Sequence, residues 1–218
     1  MNQVLDLTLK HPSRFLIYGP SSSGKSTFVI KILCYMKELF GKYFDNIYYI
    51  SDKSFPKFQY IHGRYVNKLN DINKEFITKL NSNENNLLII DDKMHTATND
   101  ILISDLFTKL SHHNNITVIM IVQNLFPKSK YMRDISSNST YIVLMSNPRE
   151  TLQIKTLSSQ IDGSNSQFVF NCYKDATKDR PYSYLFLDFD QNTPENVRVR
   201  TNIFPNEESI AYVKLSQI

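Results

Sequence analysis

Residues 14–26 read Arg14-Phe15-Leu16-Ile17-Tyr18-Gly19-Pro20-Ser21-Ser22-Ser23-Gly24-Lys25-Ser26. The first five residues are mostly apolar and predict a buried strand, and apolar residues then recur at helical spacing over residues 25–40. The segment between them has the pattern Gly-x-x-x-x-Gly-Lys-Ser, in which glycines let successive backbone N–H groups point at phosphate oxygens. A strand, this loop and a helix in succession indicate a site for a nucleoside triphosphate.

The chemistry of this phosphate-binding loop (residues 19–26, the P-loop) predicts ATP and Mg²⁺ as cofactors. The helix that starts near Lys25 adds its positive dipole end, Lys25 neutralises the β- and γ-phosphates, and the Ser26 hydroxyl is a magnesium ligand. The alternative is an ordinary strand-to-helix turn with a solvated lysine. The predicted nucleotide-binding residues are Gly19, Pro20, Ser21, Ser22, Ser23, Gly24, Lys25, Ser26 and Thr27.

Two carboxylates follow a second apolar run, Leu87-Leu88-Ile89-Ile90-Asp91-Asp92. One strand and one helix downstream of a P-loop, Asp91 is expected to hold magnesium opposite Ser26, and Asp92 to orient and deprotonate the attacking water. Alone, a strand ending in Asp-Asp is weak evidence, because acidic residues often begin turns. Many ATPases of this layout have the longer glutamate at the second position, so Asp92 has a shorter reach to the attacking water.

A polar residue also follows the next apolar run, because residues 116–122 end at Gln123. A side chain at this strand end can contact the γ-phosphate or the attacking water, and the alternative is an ordinary polar loop residue. Gln123 is therefore a candidate catalytic residue.

The order of elements predicts an α/β fold with a mainly parallel central sheet flanked by helices, because continuous apolar runs alternate with helical patterns. A strand between the P-loop strand and the acidic strand indicates the RecA-like, additional-strand class of P-loop ATPases. We expect one domain over residues 1–218, with a core at about 14–160 and a small C-terminal β extension at about 161–218 that extends the sheet edge or forms a separate element. The predicted strands are 14–18, 46–50, 87–90, 116–122, 141–145, 183–189 and 197–204, and the predicted helices are 25–40, 71–80 and 99–112.

The composition of the chain restricts the partners, metal sites and cellular locations that are expected for it. The chain has 218 residues and a formal net charge of +4, which permits a nucleic-acid partner without demanding one. Two isolated cysteines, Cys34 and Cys172, cannot form a four-ligand zinc site, and they fit a reducing compartment. We see no signal peptide and no run long enough to span a membrane. We therefore expect a soluble intracellular protein, or one carried inside a particle made there.

Four stretches together resemble the HerA/FtsK superfamily of DNA-translocating ATPases: residues 19–26, 87–92, 118–123 and 141–150. Within it, the chain looks most like the genome-packaging ATPases of double-jelly-roll viruses, particularly virophages and Polinton- or adintovirus-like elements. The narrower resemblance rests on Val122-Gln123-Asn124-Leu125-Phe126, on residues 139–144, on Asn147-Pro148-Arg149-Glu150, and on the tail at 197–205. It covers roughly residues 14–205.

The resemblance implies a homo-oligomeric ring that moves double-stranded DNA into a capsid, with capsid or portal vertex proteins as further partners. It places the protein in the virion or in the host cell at the site of capsid assembly, in the cytoplasm or a viral factory. It makes Gln123 a γ-phosphate sensor, and it makes Arg149 the arginine that reaches a neighbouring subunit's nucleotide. Arg133 is the second candidate for that arginine, and a surface ion pair is the alternative for Arg149.

Other basic residues leave two interpretations open. Lys128, Lys130 and Arg133 follow Gln123 and either contact DNA phosphates or form a solvated charged loop. Arg198 and Arg200 alternate along a predicted strand, which suggests a stripe facing phosphates or another subunit, with a solvated face as the alternative.

Three other functions compete with a packaging motor. A cellular HerA-type translocase usually has an added N-terminal barrel, and only about thirteen residues precede the first strand here. A small-molecule kinase needs a lid or acceptor-binding segment, and none has clear chemistry. A nucleotide-gated binding module that hydrolyses slowly is less consistent with intact Lys25, Ser26 and Asp91.

Overall fold

The computed structural model describes residues 6–52, 59–91, 93, 97–149, 151–163, 165–178 and 180–214. Within them the strands form one sheet of ten in the spatial order β10-β9-β8-β7-β1-β6-β5-β2-β4-β3. The strands are β1 (Arg14–Tyr18), β2 (Asn46–Ile50), β3 (Tyr60–Ile61), β4 (Arg64–Leu69), β5 (Asn86–Ile90), β6 (Ile116–Val122), β7 (Tyr141–Met145), β8 (Tyr184–Asp188), β9 (Val199–Thr201) and β10 (Ile210–Ala211).

The six central strands, β7-β1-β6-β5-β2-β4, run parallel to one another. The edges are antiparallel: β3 pairs with β4 on one side, and β8, β9 and β10 continue from β7 on the other. The five strands predicted between residues 14 and 145 are confirmed to within one residue.

Helices cover both faces of the sheet, which is why the central strands are continuous apolar runs. The helices are α1 (Lys25–Cys34), α2 (Met36–Phe40), α3 (Lys74–Lys79), α4 (Ile101–Asp105), α5 (Ser111–His113), α6 (Met132–Ser137), α7 (Leu152–Ile161) and α8 (Ser166–Thr177), with a π-helical turn at Leu106–Leu110 between α4 and α5. Along β1, Phe15 and Ile17 face the core under α1 and α2, whereas Leu16 and Tyr18 face the core under the other helices.

Three helical predictions differ in detail from the structure. The helix predicted at 25–40 is divided at Tyr35, whose φ of −110° and ψ of 24° lie outside the helical region. The helix predicted at 71–80 begins only after Asn73, whose side chain accepts a hydrogen bond from the Phe76 N–H at 2.8 Å. The helix predicted at 99–112 contains the π-helical turn.

The C-terminal part extends the sheet edge, as one of the two alternatives for it predicted. The C-terminal part also contributes the helix α8 to the domain. Val169 and Tyr173 of α8 are buried in the same core as Leu185 of β8. The last segment folds back over α1, where the Phe204 ring contacts the Phe28 ring at 5.1 Å between centroids.

Neither interpretation of Arg198 and Arg200, a stripe facing phosphates or another subunit or a solvated face, fits the structure. Arg200 is 2% exposed, its guanidinium lies 2.9 Å from the Asp188 carboxylate, and it stacks over the Phe186 ring. Arg198 lies just after a short 3-10 helix (Glu195–Val197) and donates to the backbone carbonyls of Asp188 and Asp190 at 3.2 and 2.8 Å. Both arginines hold the β8–β9 edge together, because a buried guanidinium requires a partner for its charge and its donors.

Candidate functional site

The strand order brings the predicted site residues to one edge of the sheet. β1 pairs with β6 in a register that sets Tyr18 beside Val122, and β6 pairs with β5 so that Met120 lies beside Ile90. The P-loop, Gln123 and Asp91 each follow one of these strands, so all three lie at the carboxyl edge, where ligands bind in open α/β sheets.

Both positions 19 and 24 of the P-loop require glycine, the first because a side chain has no space and the second because of its backbone conformation. A Cβ on Gly19 would lie 2.5 Å from Ser23 Oγ and 2.7 Å from Met145 Cβ, so no side chain fits there. The Gly19 N–H donates to the Val122 carbonyl at 3.2 Å, which joins the loop to β6. Gly24 starts α1 with a φ of +96°, a conformation that favours glycine.

Lys25 is held inside the loop. Its side-chain ammonium donates to the carbonyl oxygens of Gly19 at 2.8 Å and Pro20 at 2.6 Å, and the residue is 8% exposed. A solvated lysine, the alternative for this motif, does not fit these contacts. They place a compact positive charge where the loop and the N-terminus of α1 meet, and both features favour anions.

Ser26 and Asp91 lie opposite each other across the loop. Ser26 Oγ donates to Asp91 Oδ2 at 3.5 Å, and the Asp91 N–H donates to the Ile50 carbonyl at 2.9 Å. A hydroxyl and a carboxylate fit Mg²⁺, which prefers oxygen ligands and is commonly bound by one or two carboxylates together with substrate phosphates. Among the described residues, no group of three or more His, Cys, Asp or Glu side chains could hold a metal by itself.

Tyr49 is a site residue that the sequence analysis missed. It lies on β2, which neighbours β5, and its hydroxyl donates to Asp91 Oδ2, the same oxygen that Ser26 approaches. In the sequence it is only one of two consecutive tyrosines in a buried strand, and its position next to the last residue of that strand is the one signal of a role at the carboxyl edge. The hydrogen bond orients Asp91 and stabilises its charge.

Tyr49→Phe is expected to raise the Mg²⁺ concentration needed for half-maximal ATP turnover by about 10-fold or more, the scale seen when an outer-shell partner of a metal ligand is removed. Binding of ATP without metal should be unchanged, because phenylalanine keeps the packing. Tyr48→Phe is the matched control, since the Tyr48 ring packs on Phe76, 5.0 Å away, in the other core. The same Mg²⁺ dependence in the two variants would contradict the assignment.

Gln123 contacts the P-loop directly. Ser21 Oγ donates to Gln123 Oε1 at 3.3 Å, and both side chains are exposed at the edge. The amide is therefore placed where it can respond to the end of a bound triphosphate, and its role as a γ-phosphate sensor stays a prediction. Asp92, the predicted water-activating residue, lies outside the described residues, and Thr27 is exposed in the first turn of α1.

The loop that carries Arg149 is tied to the P-loop strand. Asn147, which is 6% exposed, donates from its side-chain amide to the Tyr18 hydroxyl at 3.0 Å, and its Oδ1 accepts the Arg149 N–H at 3.1 Å. The Asn147 N–H donates to the Tyr173 hydroxyl at 2.8 Å, and that hydroxyl donates to the Met145 carbonyl at 3.2 Å. Burial raises the pKa of Tyr173, so its hydroxyl keeps the proton that it donates.

Arg149 is exposed at the carboxyl edge, on the other side of the P-loop from Asp91. Three strand spacings separate β7 from β5, which is about 14 Å. Arg133, the second candidate, is exposed on α6. The structure thus brings Lys25, Ser26, Asp91 and Gln123 together and leaves Arg149 on the opposite flank.

The basic residues after Gln123 are at the surface, as both interpretations of them require. Lys128, Lys130 and Arg133 all lie there, and the Lys130 ammonium lies 5.0 Å from the centre of the Tyr131 ring. In the part of the chain that the structure describes, no helix is both long and apolar enough to cross a bilayer.

No protein-family model and no curated protein matches the sequence, whereas solved structures do. The chain is similar to the genome packaging NTPase B204 from Sulfolobus turreted icosahedral virus 2. In complex with ATP-γ-S, that protein is 16% identical with a TM-score of 0.57, and the match covers 87% of this chain and 95% of that chain. In complex with AMPPCP, it is 17% identical with a TM-score of 0.57, covering 87% and 96%. The likeness confirms the predicted fold class, a RecA-like P-loop NTPase fold.

Proposed function

We propose that this chain is an ATP hydrolase that drives double-stranded DNA into a viral capsid. The observation that carries the ATPase part is the arrangement of Lys25 inside the loop with Ser26 and Asp91 opposite it. The observation that favours packaging is the similarity in fold to a viral genome-packaging NTPase over most of both chains. The resemblance to the HerA/FtsK superfamily and its virophage and Polinton-like members points the same way.

Each residue of the site has its own role in the proposed hydrolysis of ATP. Lys25 and the N–H groups of the P-loop bind the β- and γ-phosphates, and Ser26 and Asp91 would hold Mg²⁺, which supplies charge neutralisation of the phosphates when it is bound. Tyr49 orients Asp91, and Gln123 contacts the γ-phosphate or the water. Asp92 follows Asp91 directly in sequence and is our candidate for activating that water.

The motor form of this proposal needs partners. Double-stranded DNA is the substrate that is moved, copies of this chain form a homo-oligomeric ring in which Arg149 completes the neighbour's site, and capsid or portal vertex proteins anchor that ring. The protein would then act in the virion or in the infected cell where capsids assemble. A small kinase, the competing enzyme class, would transfer phosphate to a small acceptor and would not respond to DNA.

Duplex DNA is expected to stimulate ATP turnover, and its binding is expected to weaken steeply with salt and to show little sequence preference. Binding through backbone phosphates releases counterions, so neutralising roughly six to ten phosphates corresponds to a fall of about 10³–10⁵ in affinity between 50 and 200 mM salt. Replacing Lys128 and Lys130 with alanine should reduce the salt slope by roughly one for each phosphate that is no longer neutralised.

Replacing Lys74 and Lys79 of α3 with alanine is the matched control, because both lysines are exposed and α3 packs against β2, where the Phe76 ring contacts the Tyr48 ring. DNA affinity is measured by fluorescence anisotropy over a salt series, and turnover by phosphate release. ATP turnover that is the same with and without DNA, together with a DNA affinity that is unchanged between low and physiological salt, would rule out a translocase.

A further inference from the structure

Tyr182 has an unusual backbone conformation and a largely exposed side chain. It lies between α8 and β8, has a φ of +64°, and is 63% exposed. A positive φ is an outlier for a bulky residue and persists only where the surroundings impose it. Here Ser183 holds the segment, because its carbonyl accepts the Ser146 N–H at 3.0 Å and its hydroxyl donates to the Arg180 carbonyl at 2.7 Å.

This ring lies against the P-loop. A Cβ on Gly24 would be 2.9 Å from Tyr182 Cδ1 and 3.0 Å from Tyr182 Cβ. Gly24 immediately precedes Lys25, so the phenol ring borders the phosphate-binding loop while most of its surface faces solvent. Burial in a core therefore does not explain the ring's position.

The order of the strands indicates on which side of the P-loop the nucleoside of a bound triphosphate lies. Asp91 and Gln123 follow β5 and β6, on one side of the P-loop strand, and Tyr182 precedes β8, on the other side. A triphosphate whose γ-phosphate lies at Asp91 and Gln123 therefore leaves the loop with its nucleoside toward the β7–β8 side.

We propose that the Tyr182 ring stacks on the base of the bound nucleoside triphosphate. This inference rests on the proposed binding of ATP at the P-loop and adds the part of the site that holds the nucleoside. A phenol ring offers an apolar face to any base, since every base has a π-face, and such stacking is tolerant of base identity. Tyr182 is thus a binding residue and takes no part in bond breaking.

The test compares ATP with inorganic tripolyphosphate, which has the phosphates and no base. Tyr182→Gly should weaken ATP binding on the order of tenfold, the scale of base–aromatic stacking, and leave tripolyphosphate binding unchanged. Glycine adopts a positive φ without strain, so the variant removes the ring and keeps the backbone. Tyr182→Phe keeps the ring face and should bind ATP like the parent protein.

A second readout uses the absence of tryptophan from the chain. Tyr182→Trp introduces a single indole whose fluorescence should change with ATP and stay constant with tripolyphosphate. Tyr65→Trp, at another exposed tyrosine on β4, four strands away from β1 in the sheet, is the control and should respond to neither ligand.

Three results would overturn the inference. ATP affinity that is unchanged in Tyr182→Gly would exclude stacking. An equal decrease in ATP and tripolyphosphate binding in that variant would show that the ring only supports the loop. Failure of the parent protein to bind either ligand would overturn the proposed function as well, and so is distinguishable from the first two results.

Discussion

Lys25→Ala is expected to lower Mg²⁺-dependent ATP turnover by about 10²–10³-fold or more, because it removes a preorganised positive charge from the phosphates. The ammonium is held by the carbonyls of Gly19 and Pro20 where the loop meets the N-terminus of α1, so the positive charge already lies at the phosphate-binding loop. Asp91→Asn should have a comparable effect, because it removes the anionic ligand opposite Ser26.

The control is Lys79→Ala, the same change at an exposed α3 lysine paired with Glu75 in a surface ion pair. Phosphate release is measured at saturating ATP and Mg²⁺, and circular dichroism checks that each variant is folded. Parental turnover in a folded Lys25→Ala or Asp91→Asn variant would refute the catalytic assignment.

Arg149→Ala is expected to keep ATP binding and to lower turnover by about 10³–10⁵-fold if it acts as an arginine finger. The reason is its position. Lys25 is the cation that the structure places in the loop, and Arg149 lies on the flank away from Asp91 and Gln123, about three strand spacings from β5. A neighbouring subunit in a ring can present that arginine where its own chain does not. Arg133→Ala is the competing variant, and a larger decrease there would transfer the role to Arg133.

Mixing variants tests whether Arg149 acts between subunits. In an equal mixture of Arg149→Ala and Lys25→Ala subunits, roughly a quarter of the sites should be active. Each site of a head-to-tail ring is formed by two adjacent subunits, so half of the sites have an intact Lys25 and half of those face an intact Arg149. Mixing Arg149→Ala with the double variant Lys25→Ala, Arg149→Ala should restore none, because no subunit of that mixture carries the arginine. Mixed rings that assemble and show no difference between these two mixtures would indicate a role within one subunit.

The central sheet could be predicted from the sequence because its strands are covered on both faces. Residues 14–18, 116–122 and 141–145 are uninterrupted or nearly uninterrupted apolar runs, and the structure has strands at those bounds. The polar residues that follow these strands then lie at one edge as a matter of topology. Therefore the positions of the P-loop, Asp91 and Gln123 followed from the pattern alone.

The strand β4 and the helix α8 have weaker sequence patterns than the central strands. The strand β4, Arg64–Leu69, has only one buried residue in six, so it lacks both the continuous run and the clear alternation by which strands are recognised. The helix α8 has β-branched, aromatic and polar residues of low helix propensity, and its packing in the core decides its conformation. Neither element was predicted.

Side-chain partners across the sheet could not be predicted at all. Strand alternation predicts a surface position for Arg200, because alternation does not show that Asp188 faces it from the neighbouring strand. Tyr49 and Tyr182 reach the site through pairings of distant segments, β2 with β5 and the β8 entry with the P-loop. Such contacts depend on register and loop path, which local composition does not encode.

The most direct test of the account is ATP turnover per subunit measured over a range of protein concentrations, with the molar mass determined in the same buffer. A site that a neighbour completes should turn over slowly in the monomer, and its activity should rise as the mass increases to that of a ring. Activity that is independent of concentration in a strictly monomeric sample would contradict the central claim that this chain is a ring-forming motor.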